Sequence, residues 1–349
     1  MRFDYCNLFV ICILVFVSLE IFLKFSYRKN MPNSKDIRRR IKSINSTKKI
    51  TKAMEMVSAA KMRRAVASVL AIRPYAHAAW SVLTNLSKAF EEFSGHGFLE
   101  IRPVKNVLMI VVTSNRGLCG SFNTQIAKKI REEIANPEKL KINRIGNKKI
   151  QSAVADQDLG IDFITIGKKG EAMVRKLSKD IIATFPDGAA FSVAGDIKPL
   201  SKIVMEAYLA KKYDKVVVIY TDYVSAVNQQ TRIRQILPIS KIDIEKQIAE
   251  MDVVAKEYGL VEPKVEYKIE PSPQEVLEFI FPRLIEMQLF HGVLESAASE
   301  HSARMVAMKS ATDAAGEMSE DLTLAYNQIR QGKITQEIAE ISAGRAALE

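Results

Sequence analysis

The stretch MQLFHGVLESAASEHSARMVAMKSATDAAGEMSEDLTLAYNQIRQG (287–332) decides the fold. One series of its residues is spaced by seven: Met287, Leu294, His301, Met308, Ala315, Leu322 and Ile329. A second series lies three residues further on: Phe290, Ala297, Arg304, Ala311, Met318, Ala325 and Gly332. Eleven of these fourteen positions are apolar, the exceptions being His301, Arg304 and Gly332. Sustained seven-residue repetition is the pattern of helices that pack side by side in a coiled coil. If helical throughout, residues 273–344 would extend about 108 Å at 1.5 Å per residue. A globular domain of this size cannot bury such a rod, so its seam requires another long helix.

Only the other end of the chain offers one. From Asn33 onward the sequence reads as a helix: Asn33 or Ser34 can cap the first turn, and Asp36 complements the helix dipole there. Ile37, Ile41 and Ile44 form an apolar stripe that resumes, after a phase slip, at Ile50, Met54 and Val57. Pro74 is expected to kink this helix or to start a new one. Between Lys35 and Arg64 eleven Lys or Arg face two acids, Asp36 and Glu55, which makes the helix basic as well as amphipathic. Ahead of it, LFVICILVFVSL (8–19) is apolar and runs past Glu20 to Phe25. Residues 1–30 admit three readings: translation beginning at Met31, a membrane anchor, or a cleaved signal. A mass measurement of the purified N-terminus decides among them.

Between the two helices lies an α/β region, about residues 103–271. NVLMIVVTS (106–114) is a continuous apolar run suited to a strand covered on both faces. A helix at 122–134, a strand at 161–167, a helix at 169–179, a strand at 181–185, a helix at 199–212 and a strand at 215–223 follow. This alternation implies βαβ units and a mainly parallel sheet. TRIRQILPI (231–239) alternates with period two and reads as an edge or hairpin strand, as does VEYKIEP (265–271). The expected architecture is a two-helix shaft made from residues 31–95 and 273–349, with the α/β domain inserted between them.

Composition narrows the function. The 349 residues are 48% hydrophobic and 26% charged, a globular balance that excludes a disordered chain. A net charge of +11 suits an acidic partner, and the main body carries it: removing residues 1–30 lowers it by only two. Three cysteines, Cys6, Cys12 and Cys119, cannot build a disulfide framework. His77, His96, His291 and His301 have no metal-site spacing. GIDFITIGKKG (160–170) lacks the Ser or Thr of a phosphate-binding loop and reads as a strand end and turn. SNRGLCGSFN (114–123) joins a strand to a helix, as nucleotide loops do, but lacks their glycine pattern; it reads as a turn with Ser121 as a candidate cap. No active site assembles from these residues. A nucleotide-binding enzyme built on the α/β region would predict saturable nucleotide binding by the chain alone. A membrane-anchored nucleic-acid binder would need aromatics interleaved with the basic helix, which are missing.

KDIRRRIKSINSTKKITKAMEMVSAAKMRRA (35–65) closely resembles the N-terminal helix of the γ subunit of F-type ATP synthases. ASEHSARMVAMKSATDAAGEM (298–318) and LAYNQIRQGKITQEIAEISAGRAAL (324–348) resemble that subunit's C-terminal helix, and SNRGLCGSFN resembles its turn after the first central strand. The resemblance covers about residues 31–349. It implies an antiparallel coiled coil of the two terminal helices with a Rossmann-like α/β insert, working as a non-catalytic rotor. It also implies partners: the α and β subunits around the coiled coil, and the ε subunit and c-subunit ring at the foot. No cofactor, metal, nucleic acid or direct nucleotide binding is implied. The location it implies is peripheral, on the cytoplasmic face of a bacterial inner membrane or the matrix side of a mitochondrial one. Residue by residue, Lys52 and Met54 match positions that meet the acidic levers of β. Arg330 and Gln331 match a pair bonded to a β loop, Thr335 and Glu337 match contacts near it, and Arg304 matches a basic residue facing the ring interior. TDYVSAVNQQTRIRQILP (221–238) corresponds to the segment near the c ring, with Tyr223 and Arg232 as candidate contacts. The helix positions among these have a solvated helix face as their alternative reading, and Met54 has simple seam packing. The segment 136–160 is longer than the bacterial pattern, and residues 1–30 have no counterpart in the family.

Overall fold

A computed structural model describes residues 34–85, 97–100, 102–145, 148–151, 159–185, 194–239 and 273–346. The extension 1–30 and the candidate strand 265–271 lie outside them. The elements are α1 (Ser34–Asn85), β1 (Asn106–Val112), α2 (Phe122–Ala135), β2 (Ile142–Ile145), β3 (Lys148–Gln151) and β4 (Gly160–Ile166). They continue with α3 (Lys168–Lys176), β5 (Ile181–Phe185), α4 (Lys198–Leu209), β6 (Lys215–Tyr223), β7 (Gln229–Leu237) and α5 (Pro273–Ala346). The chain divides into two compact units, Met1–Thr51 with Ser310–Glu349, and Lys52–Lys309.

In the first unit the two ends of the chain pair as antiparallel helices. The order of contacts shows it: the Ser319 hydroxyl lies 3.0 Å from Asn45 Oδ1, Gly316 faces Lys48, and Thr312 Oγ1 is 2.8 Å from Thr51 Oγ1. Gly316 is buried beside the Lys48 side chain, whose ammonium lies 3.0 Å from where a Cβ would stand.

In the second unit five strands form one sheet in the order β5-β4-β1-β6-β7. β1 pairs in parallel with β4 and β6, and β4 with β5. β7 is the antiparallel hairpin partner of β6 and closes one edge, as its period-two pattern anticipates. Alternate residues of β1 enter opposite cores, which explains its unbroken apolar sequence. Val107, Met109 and Val111 pack with Phe122, Ile126 and Ile130 of α2 and Val174 of α3. Leu108, Ile110 and Val112 share the other core with Leu200, Val204 and Tyr208 of α4, Val69 of α1, and Phe281 to Leu294 of α5. Residues 160–170 are the whole of β4, a turn at Gly167 and the start of α3: Gly167 has φ +89°, a Cβ there would clash with the Thr113 carbonyl oxygen, and Thr113 Oγ1 accepts the Gly170 N–H.

Several expectations are corrected. α1 runs as one helix through Pro74, so no new helix starts there. Its stripe undergoes no phase slip: Thr51 and Ser58 are buried while Ile50 and Val57 are exposed, so small polar residues carry the packing face onward. The C-terminal repeat drifts likewise. Thr312 and Gly316 are buried, whereas Met318 and Gly332 are exposed, because in the first unit the close contact runs through small residues. Ser121 makes no side-chain cap to α2; its hydroxyl accepts from Gln125 Nε2 instead. The segment 136–160 contains a short 3-10 turn at Pro137–Lys139 and the β2–β3 hairpin.

Candidate functional site

The C-terminal end of α5 is bare. Every residue from Arg330 to Ala346 is exposed. Arg330, Gln331, Thr335 and Glu337 all present their side chains there; the Thr335 hydroxyl turns back to the Gln331 carbonyl, and Glu337 lies 4.0 Å from Lys333. Ion pairs so exposed contribute about 0–1 kcal/mol, so they leave these charges available. Ile334, Ile338 and Ile341 recur at i, i+4 and i+7 on the same stretch, with exposure rising to 73% at Ile341. These isoleucines leave an apolar stripe open to solvent on the described helix. Reading for seams alone passes over it, although its helical spacing is visible in the sequence.

On α1, Lys52 is exposed and pairs with Glu55 at 3.1 Å, and Met54 is half-buried. Met56 and Val57 are exposed beside them. The remaining three expected contacts are engaged within the second unit. Arg304 is buried: its Nη2 donates to Glu300 Oε1 at 2.7 Å, Nη1 lies 3.3 Å from His301 Nδ1, and Nε and Nη2 each reach the Gly117 carbonyl at 3.5 Å. Arg232 pairs with Asp222 at 2.7 Å. Tyr223 gives its backbone N–H to Glu295 Oε2 and sets its hydroxyl 4.0 Å from Met62 Sδ. The structure thus brings Arg330, Gln331, Thr335 and Glu337 onto one bare helix end and keeps Tyr223, Arg232 and Arg304 in internal networks.

The turn 114–123 is organised around itself. Asn123 Nδ2 donates to Ser114 Oγ at 2.7 Å and to Cys119 Sγ at 3.1 Å, and the Ser114 hydroxyl donates to the Arg116 carbonyl. Cys119 is buried. Gly120, at φ +55°, lies against Ala303 and Ala307 of α5. Burial, with Arg234 nearby, holds His291 down to about 3, and burial with Arg304 and Lys61 holds His301 down to about 4, so both are neutral near pH 7. Among the described residues no group of His, Cys, Asp and Glu could hold a metal ion, and no helix is long and apolar enough to cross a membrane.

One unit thus pairs the two chain ends as antiparallel helices, and the other is a doubly wound α/β unit. The ATP synthase family profile matches residues 33–348. The ATP synthase gamma chain of Roseiflexus castenholzii is 38% identical over 319 residues, spanning 91% of this chain and 99% of that one. The gamma chain of Cytophaga hutchinsonii is 39% identical over 321 residues, spanning 91% and 99%. In fold, the chain is similar to a rotor chain of the Euglena gracilis mitochondrial ATP synthase, with a TM-score of 0.53, 16% identity and coverage of 86% and 98%. A second chain, from an OSCP/F1/c-ring structure of the same enzyme, gives 0.56 at 17% identity, covering 90% and 94%. The chain belongs to the ATP synthase gamma-chain family. As such it is a subunit of the synthase and not itself the catalyst.

Proposed function

We propose that the chain is the central rotor of a proton-translocating ATP synthase, passing torque between a membrane ring of c subunits and a catalytic ring of α and β subunits. The observation that carries this reading is the bare end of α5, where Arg330, Gln331, Thr335 and Glu337 accompany the Ile334, Ile338 and Ile341 stripe. A helix end left exposed among the described residues, with both apolar and charged groups, suits a collar that encloses it, and the chain's net charge of +11 suits an acidic one. Lys52 and Met54 on α1 would meet the same collar. An asymmetric helical surface turning inside a ring of bistable neighbours biases each in turn, and this would gate the β sites.

The α/β unit would be the foot, with Tyr223 and Arg232 near the c ring and the ε subunit beside it. For Arg304 a ring contact requires the guanidinium to exchange Glu300 for a partner carboxylate. The chain would bind no nucleotide itself and would be peripheral to the membrane. Affinity purification of the tagged chain from its native membrane tests the reading: α, β, ε and c subunits should accompany it in fixed ratio. Recovery of the chain without them refutes it.

A further inference from the structure

α5 meets the β6–β7 hairpin through side chains aimed at hairpin backbone. Helical serines and threonines commonly return their hydroxyl to the carbonyl one turn back. Ser68, Thr323 and Thr335 do this, donating to the carbonyls of Arg64, Ser319 and Gln331. Ser299 and Ser302, both fully buried, do not. Ser299 Oγ donates to the Thr221 carbonyl at 3.0 Å, and Ser302 Oγ to the Ala226 carbonyl at 2.6 Å. One turn before them, Glu295 Oε2 accepts the Tyr223 N–H at 2.9 Å. Residues 295, 299 and 302 fall on one face of the helix, and their three partners follow β6 into its turn. Gln229 Nε2 joins Ser302 Oγ at 3.4 Å and holds the carbonyls of Ser225 and Ala226 as well.

Apolar packing is non-directional and tolerates sliding, whereas hydrogen bonds fix distance and angle. Bonds to backbone also hold whatever side chains the hairpin carries. We propose that Glu295, Ser299 and Ser302 are positioning residues forming a fixed coupling, through which twist at the hairpin is passed to α5 without slip. This rests on the rotor reading above and assigns the residues that make the foot and the helix turn together.

The test uses the assembled synthase in inverted membrane vesicles, reading ATP hydrolysis, ATP-driven proton pumping and the amount of this chain retained. Ser299→Ala with Ser302→Ala should assemble and hydrolyse ATP, while protons pumped per ATP fall about twofold or more, since two directional bonds are lost. Glu295→Leu should do the same, and Glu295→Gln, whose amide oxygen still accepts the Tyr223 N–H, should restore the wild-type ratio. An unchanged ratio in both Ser299→Ala/Ser302→Ala and Glu295→Leu overturns the coupling. So does a proportional fall of pumping and hydrolysis with less chain retained, which is what a merely structural role produces. If wild-type vesicles lack the chain, or pump normally when it is depleted, the rotor reading itself falls.

Discussion

Two stretches of α5 share a helix and an aliphatic, alanine-rich character, yet their surroundings differ completely. Between Phe281 and Ser302 nearly every face is buried, by the sheet, α4 and α1, with only Pro282, Arg283 and Glu286 partly open. Between Arg330 and Ala346 every residue is exposed. The first stretch draws its stability from its own chain. The second has an isoleucine stripe that stays exposed among the described residues, the condition expected of a surface that another molecule covers. Substitutions in the first should therefore be felt in the isolated chain, and those in the second only in the complex.

The sharpest way to break this contrast is Phe281→Ala. Phe281 is fully buried, and truncation should cost about 3–5 kcal/mol of unfolding free energy, measured by urea titration of the isolated chain. A loss below about 1 kcal/mol would show that the buried stretch is not the core it resembles. Next in size is Arg330→Ala with Gln331→Ala. It should leave the urea midpoint unchanged yet weaken coupled hydrolysis by the assembled enzyme about tenfold or more, the worth of a charge-assisted contact of at least about 1.5 kcal/mol. Unchanged rates would remove that pair from the ring interface.

A third prediction concerns pH. The folded chain holds His291 near 3, below its ordinary 6.5, through burial first and Arg234 second. Between those values the unfolded chain binds more protons, so stability is complete above about pH 6.5 and is lost as pH falls toward 3, by up to about 1.4 kcal/mol per pH unit. Urea midpoints taken from pH 7 to 5 should fall accordingly, and His291→Gln should flatten the slope. The smallest effect is Ile338→Ala, which should change the stability of the isolated chain by less than about 0.5 kcal/mol. Its consequence should appear as faster loss of the chain from the purified complex, followed by subunit content after dilution.

Sequence periodicity revealed the long helices, the parallel sheet and its hairpin edge because burial there is aliphatic: Val107 to Val112, Val216 to Ile219 and the run from Phe281 to Leu294 announce themselves. It misplaced the helix contact in the first unit because Thr51, Thr312 and Gly316 are chosen for closeness rather than hydrophobicity. The positions on bare helix, Arg330 to Glu337, were reachable only through resemblance, since exposed polar residues obey no internal pattern. The internal ties of Tyr223, Arg232 and Arg304 depend on partners more than fifty residues away in two cases, Glu295 and Gly117, and no local motif encodes those.

β1 lies between two parallel neighbours with a separate core on each of its faces. Its amides therefore have no local route to solvent, and deuterium should enter them only when the whole unit opens. Isotope uptake in this strand would serve as an internal clock for global opening, against which loosening of any outer layer during assembly can be timed.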